Sequence, residues 1–183
     1  KRPGFEFAVG IPGSVGGAVR MNAGAWGCSV AGVLASVKIV DGGGRTAVLD
    51  AGNLGFEYRG SSLPRGSIVL SAVFNCPPGE VDEEKLALSK NRGDTQPLSQ
   101  KSFGSAFKNP PGGYAARMIE ECGLKGVRRG GAEVSEKHAN FLVNVGASTK
   151  ASDIEDLMGL VVEKVKAKFD VTLIPEVIII GNR

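Results

Sequence analysis

Ser105 stands in "SFGSAFKNP" (102–110), between Gly104 and Ala106, with Phe103 and Phe107 two positions to either side. A hydrolytic serine needs an adjacent base, most often histidine. The chain has one histidine, His138. On residue type alone Ser105 reads as the cap of a turn ahead of Pro110, since serine is common in turns. Arg59, in "FEYRGS" (56–61), reads on its own as a surface arginine at a strand end, with a planar fork that lysine would not reproduce. Glu176 is the single acid in "LIPEVIII" (173–180). It is either an outward strand position or a buried carboxylate with a partner.

The segment "GIPGSVGGAVRMNAGAWG" (10–27) carries glycines at 10, 13, 16, 17, 24 and 27. It matches neither GxxxxGK[ST] nor GxGxxG. Bare amides in such a run cradle a phosphate or face a flat ring closely, and the Asn22 carboxamide can read a heterocycle edge. A purely structural cluster of turns is the competing reading. Metal chemistry is not indicated. Cys28, Cys76 and Cys122 are widely spaced, form no CxxC and have only His138 to join them. Isolated thiols of this kind suit a reducing compartment, so a cytoplasmic location is expected.

Several elements must position these groups. "LASVKIV" (34–40), the turn "DGGGR" and "TAVLD" (46–50) predict a hairpin with Val37 and Ile39 on one face. "SIVLSAVF" (67–74) predicts a further strand, and "CPPGE" (76–80) a boundary, because two prolines and a glycine break both kinds of element. Residues 82–92 read as helix. In "YAARMIEECG" (114–123) Ala115, Met118, Ile119 and Cys122 fall on one helical face, and Gly123 sits where a terminating glycine belongs. "FLVNV" (141–145) predicts a strand. "SDIEDLMGLVVEKVKAKF" (152–169) predicts a helix opened by a Ser152–Glu155 capping box, with Ile154, Leu157, Met158, Val161 and Val165 as its core stripe. "VTLIPEVIII" (171–180) reads as a last strand.

The bulk numbers exclude some partners. Lys plus Arg total 22 against 19 for Asp plus Glu, a net charge of +3. That is too mild for nucleic acid, and no basic run interleaves with aromatics; a mildly positive surface suits an anionic substrate or cofactor. The 27 glycines are far above the ordinary ~7% and cluster at motifs without repeating. No apolar run reaches the ~18 residues of a membrane span, and no signal peptide is visible. The opening "KRPGFEFAVG", without an initiator methionine, is expected of a fragment.

Five segments, "GIPGSVGGAVRMNAGAWG", "FEYRGS", "GSAFKNP", "GGAEVSEKHANFLVN" (130–144) and "IPEVIIIG" (174–181), together resemble the UDP-N-acetylenolpyruvoylglucosamine reductase family, also called UDP-N-acetylmuramate dehydrogenase. They occur in the family's order and span nearly the whole chain. The resemblance implies an α+β fold. Residues 1–79 would be the later, mostly antiparallel part of an FAD-binding domain and 80–173 an α+β substrate-binding domain. Residues 174–183 would be a terminal strand returning to the FAD-binding part. It implies a flavoenzyme of peptidoglycan precursor synthesis, in which NADPH reduces FAD and the enolpyruvyl group of a UDP-sugar is then reduced. By the same resemblance Ser105 donates a proton to carbon, Arg59 holds the intermediate's carboxylate, and Glu176 lies near the developing charge. Gly13, Gly17, Asn22 and Gly24, with Met21 beside them, match flavin-contacting positions. Tyr58, Lys108, Asn109 and His138 fall on the substrate side, Tyr58 with a core role as the alternative and His138 at a position that varies. The implied partner is a small-molecule UDP-sugar, with no nucleic acid, no membrane and a monomer when full length.

The likeness has gaps. The link between Phe74 and the helix near Glu83 is short and the tyrosines are Tyr58 and Tyr114, so the chain resembles the subtype without a tyrosine lid over the substrate. Thr95 and Gln96 in "RGDTQPL" (92–98) stand where some members carry a lysine. By the resemblance, the family's front glycine loop for the FAD pyrophosphate would lie ahead of Lys1 and is not expected within these residues. The remaining alternatives are a related FAD-linked oxidoreductase, against which the "GSAFKNP" serine and the terminal "PEV" glutamate count, and a non-catalytic, truncated nucleotide-sugar-binding paralogue.

Overall fold

The computed structural model, which describes residues 3–76 and 78–181, forms the hairpin that the alternation around Val37 demands. Two units emerge, one running through Asn91 and the other from Arg92. In chain order the first holds helix α1 (Val15–Arg20), a short ladder of β1 (Gly24–Ala25) and β2 (Cys28–Ser29), strands β3 (Leu34–Val40), β4 (Thr46–Asp50) and β5 (Ile68–Phe74), and helix α2 (Glu83–Lys90). β3 is central, antiparallel to β4 on one side and β5 on the other. Val37 and Ile39 share a buried face, as their spacing requires, and pack with Phe7, Val19, Leu54 and Leu63. The hairpin turn is closed by Asp41, whose Oδ1 accepts the amides of Gly43 and Arg45 at 2.9 Å each.

Helix α1 is the first departure from expectation, because the glycine segment is not bare turn throughout. Ser14 caps the helix, its Oγ accepting the Gly17 amide at 3.1 Å, and Val19 is fully buried, a contribution of about 1.5–3 kcal/mol. A Cβ on Gly16 would lie 3.3 Å from that of Val69, so the glycine permits the close approach of α1 to β5 that seats Val19. Helix α2 also packs in this unit. Its Ser89 Oγ donates to the Glu6 carbonyl at 2.7 Å, and the Asp82 amide donates to Glu6 Oε1 at 3.0 Å. Those two bonds carry the first unit past the "CPPGE" break, of which Pro77 lies outside the described residues. The helix expected over 82–92 stops at Lys90, and α3 (Arg92–Thr95) opens the second unit.

The second unit continues with β6 (Lys101–Ser105), α4 (Ala115–Glu121), β7 (Arg128–Arg129), β8 (Ala132–Val134), β9 (Phe141–Asn144) and α5 (Ala151–Phe169). Its four-stranded antiparallel sheet runs β6-β9-β8-β7. Leu157, Met158, Val161 and Val165 of α5 and Ala115 and Ile119 of α4 are buried with Phe107, Val134, Leu142 and Leu173 in one core. Gly123 follows α4 with φ +70°, the left-handed terminator expected there.

Two expectations fail. The cap of α5 is not Ser152–Glu155. The helix starts at Ala151, and the Asp153 carboxylate accepts the Lys150 amide at 3.0 Å and the Gly131 amide at 3.1 Å. The tie to the loop between β7 and β8 fixes the earlier start. Residues 171–180 form no strand; they contribute only an isolated bridge, Phe107 to Pro175. Proline has no amide to donate, so pairing does not extend along the segment. The two backbone bonds that flank it lie within the second unit, Lys108 N to Ile174 O at 2.8 Å and Glu176 N to Ala106 O at 2.9 Å. The architecture is α+β, antiparallel sheets with helices packed against them. Among the described residues no helix is long and apolar enough to cross a membrane.

Candidate functional site

Ser105 ends β6 just after an irregularity. Ser102 pairs with Val143 and Ser105 with Phe141, so β6 carries one residue more than β9 between those pairs. Gly104 accommodates it with φ +83°. A bulge with a left-handed glycine bends a strand and re-aims the side chain that follows. Beyond it, residues 106–108 are gripped on both edges. On one edge Ala106 N donates to Asn140 O at 2.8 Å, and the Asn140 carboxamide takes the Phe107 amide at 3.0 Å and donates to the Phe107 carbonyl at 2.8 Å. On the other run the bonds to Ile174 and Glu176 already given. Ser105 and Glu176 are therefore brought onto neighbouring segments, both half-buried. Among the described residues the Ser105 hydroxyl makes no hydrogen bond, so it is not the cap of a turn.

His138 joins this cluster through Asn140, whose amide donates to His138 Nδ1 at 3.2 Å. The ring proton of the neutral imidazole then belongs on Nε2. The ring stands edge-on to Phe141, centroids 4.8 Å apart. Burial, more than anything else, pushes the imidazole below its ordinary pKa of 6.5, and the Lys125 charge adds to the effect. Asn109 is exposed, but its Oδ1 accepts the Ala115 amide at 3.0 Å at the start of α4, which leaves its NH2 group to offer a ligand. Lys108 is half-buried.

In the first unit the other predicted residues gather around Asn22. Buried and in the left-handed region at φ +43°, Asn22 donates from Nδ2 to the Glu57 carbonyl and accepts the Ala31 amide, each at 3.0 Å. Its acceptor is thus committed within the protein. It ties the glycine segment to a tight turn in which Glu57 and Gly60 exchange backbone bonds of 3.2 Å and Tyr58 and Arg59 form the tip. Arg59 has φ +57°, a conformation that costs a non-glycine residue roughly 1–2 kcal/mol and that collects at functional sites. Its guanidinium carbon lies 5.0 Å from the Tyr58 ring centre. Tyr58 is 52% exposed, which disposes of a core role. Gly24 serves packing, since a Cβ there would sit 2.4 Å from the Cys28 carbonyl oxygen. Met21 caps the end of α1. Gly13 and Gly17 are exposed; the Gly17 amide and carbonyl are engaged by Ser14 Oγ and the Met21 amide, while a Cβ on Gly13 would meet nothing within 4 Å. This accessible backbone fits a flat or phosphorylated cofactor.

The predicted residues thus fall into two groups, Gly13, Gly17, Met21, Asn22, Gly24, Tyr58 and Arg59 in one unit and Ser105, Lys108, Asn109, His138 and Glu176 in the other. Sequence reasoning missed Asn140. The available signal was a carboxamide at the entrance to an apolar strand, where asparagine is disfavoured.

Residues 96–180 match the family described as UDP-N-acetylenolpyruvoylglucosamine reductase, C-terminal domain. The chain is 49% identical over 184 residues to the UDP-N-acetylenolpyruvoylglucosamine reductase of Streptococcus thermophilus (strain ATCC BAA-491 / LMD-9), covering 98% of this chain and 60% of that protein. It is 51% identical over 183 residues to the enzyme of the same name from Streptococcus pneumoniae (strain CGSP14), with the same coverage. Among solved structures, the UDP-N-acetylenolpyruvylglucosamine reductase of Thermus caldophilus superposes with a TM-score of 0.78 at 40% identity, over 94% of this chain and 62% of that one. The chain therefore spans about 60% of the length of the curated relatives it matches.

Proposed function

The chain belongs to the UDP-N-acetylenolpyruvoylglucosamine reductase family, and from that premise we propose that it carries the proton-donating and much of the substrate-binding machinery of a reductase that converts an enolpyruvyl UDP-sugar to its lactyl ether, UDP-N-acetylmuramate. FAD, when bound, would supply the hydride chemistry, with NADPH as the hydride source and the β-carbon of the enolpyruvyl group as the destination. Gly13 offers it accessible backbone, Gly17 holds the first turn of α1 through Ser14, and Asn22 and Gly24 shape the segment from within.

The chain's own residues do the rest. Arg59 pairs with the substrate carboxylate through its fork, holding the group into which charge flows once the β-carbon has gained hydride. The Ser105 O–H gives its proton to the α-carbon, and the serine recovers a proton from solvent. A neutral hydroxyl is a weak acid, so this works only against a strongly basic carbon held within hydrogen-bond reach. Glu176 stands beside the same carbon. Lys108, the Asn109 NH2 group and His138 Nε2–H are donors for the anionic and sugar parts of the substrate. The protein acts as a soluble cytoplasmic monomer in peptidoglycan precursor synthesis, with no nucleic acid or membrane partner.

One observation carries the reading. Ser105, its hydroxyl uncommitted among the described residues, is bound into the backbone segment that also holds Glu176. The test is Ser105→Ala in the full-length protein. Flavin reduction by NADPH should proceed at the wild-type rate, while single-turnover product formation by the pre-reduced enzyme falls by about 10²–10⁴-fold. Product formation within twofold of wild type would refute the role of Ser105.

A further inference from the structure

We infer that Asn140 is a positioning residue for Ser105, holding its hydroxyl in register with Glu176; the inference rests on the proton-donor reading above. Asn140 is 3% exposed, and its four polar groups are all engaged. Its amide donates to His138 Nδ1 at 3.2 Å, and its carbonyl accepts from Ala106 N at 2.8 Å. Its Oδ1 accepts from Phe107 N at 3.0 Å, and its Nδ2 donates to Phe107 O at 2.8 Å. Three of the four bonds go to the two residues that follow Ser105.

The geometry explains the residue type. A carboxamide presents a donor and an acceptor in one plane, as a peptide group does, and so can pair with both backbone groups of one residue. The pairing of β6 with β9 ends at Ser105 and Phe141. The Asn140 side chain carries the ladder past that end, as a further strand residue would. Aspartate would keep the acceptor and lose the donor. Leucine would lose both, and glutamine would reach one methylene too far.

On the opposite edge the same segment is bound by Ile174 and Glu176. Any slide of Ser105 relative to Glu176 strains the Ala106 O–Glu176 N bond on one edge and the three bonds to Asn140 on the other. With no hydrogen bond of its own among the described residues, the Ser105 hydroxyl is placed by its backbone, and Asn140 is the side chain that fixes that backbone. Misplacing a reacting group by about 1 Å costs up to about 10²-fold in rate.

The test is a double-mutant cycle of Asn140→Ala and Ser105→Ala in the full-length protein, read by single-turnover product formation from the pre-reduced enzyme. Asn140→Ala should slow this step by about 10–10²-fold, enlarge its solvent deuterium isotope effect and speed hydrogen exchange at the Phe107 amide. Substrate affinity and flavin reduction by NADPH should stay within threefold. On top of Ser105→Ala it should change the rate less than twofold. The inference is overturned if Asn140→Ala leaves product formation within twofold of wild type, or slows the Ser105→Ala enzyme as much as it slows wild type. If Ser105→Ala itself has no effect, the proton-donor reading has failed and the inference falls with it, a result distinguishable from failure at Asn140 alone. Should Asn140→Ala not fold, Asn140→Asp, which retains the acceptor for Phe107 N–H, takes its place under the same criteria. Loss of fold in both variants assigns Asn140 to stability and overturns the inference.

Discussion

Gly104→Ala and Gly159→Ala make the same chemical change in the same unit, and the structure requires opposite outcomes. Gly104 has φ +83°, and a Cβ there meets nothing within 4 Å. Its cost is therefore conformational. An alanine in the left-handed region loses roughly 1–2 kcal/mol, of which the stiffer unfolded chain returns about 0.4–1 kcal/mol. A net destabilisation of about 1 kcal/mol follows. Gly159 sits within α5 at an ordinary helical φ, and its Cβ also meets nothing within 4 Å. Alanine there gains about 0.8–1 kcal/mol in helix propensity. The two variants should differ by about 2 kcal/mol, which at a urea slope of about 1–3 kcal/mol/M separates their midpoints by on the order of 1 M. Equilibrium urea unfolding followed by circular dichroism reads the difference directly. Gly104→Ala should also lower reductase activity in the full-length protein by more than its stability loss accounts for. Relaxing the bulge slips β6 by one residue and turns Ser105 to the other face of the sheet. Both variants moving in the same direction, or Gly104→Ala matching wild type, would refute the bulge as the device that aims Ser105.

Asn22→Ala removes the partners of Glu57 O and Ala31 N and leaves an alanine at φ +43°; a loss of about 2–4 kcal/mol is expected, measured by denaturant unfolding with amide exchange at Ala31 as the local readout. Gly24→Ala forces a Cβ to within 2.4 Å of the Cys28 oxygen and should cost about 1–3 kcal/mol, a penalty visible as a lowered thermal midpoint. Arg59→Lys keeps the charge and loses the fork, so kcat/KM for the enolpyruvyl substrate should fall by roughly 10-fold or more; unchanged steady-state kinetics would remove Arg59 from the carboxylate. His138, the one histidine of the chain, is held below 6.5 by burial. The unfolded chain then takes up the proton more readily, so the stability tied to this group is fully present above pH 6.5 and is lost as pH falls from there through the folded pKa. A urea midpoint that declines over that window in wild type, and not in His138→Gln, is the expected result.

The parts legible in the sequence are those whose physics is local or periodic. Val37 and Ile39 point one way because strands alternate, and the α5 stripe closes on one core because helices repeat every 3.6 residues. Gly123 terminates α4 because only glycine takes that backbone cheaply. The misreadings have a common cause in contacts remote in sequence. The cap of α5 moved because the Asp153 carboxylate also serves Gly131. Helix α1 was hidden because two glycines in a six-residue helix leave no propensity signal. Only packing of Gly16 against Val69 and burial of Val19 reveal why it forms. Helix α2 joined the first unit through Glu6.

The same division runs through the candidate site. Chemistry could be assigned to Ser105, Arg59 and Glu176 from residue type and family likeness, because a hydroxyl, a guanidinium and a carboxylate advertise what they do. What places them could not be so assigned. Asn22 has the chemistry of a cofactor reader, yet its amide braces the turn that holds Arg59 in a left-handed conformation. Asn140 has no reactive group to advertise, yet its side chain supplies two bonds to backbone just before β9 begins. Both asparagines act as backbone mimics, presenting a donor and an acceptor to main-chain groups that regular pairing leaves behind. A buried main-chain group must find a partner, and a reactive residue set just beyond the end of a strand is surrounded by such groups. Local pattern therefore names the reacting side chains, while their supports must be sought among buried carboxamides bonded to the backbone on either side of them.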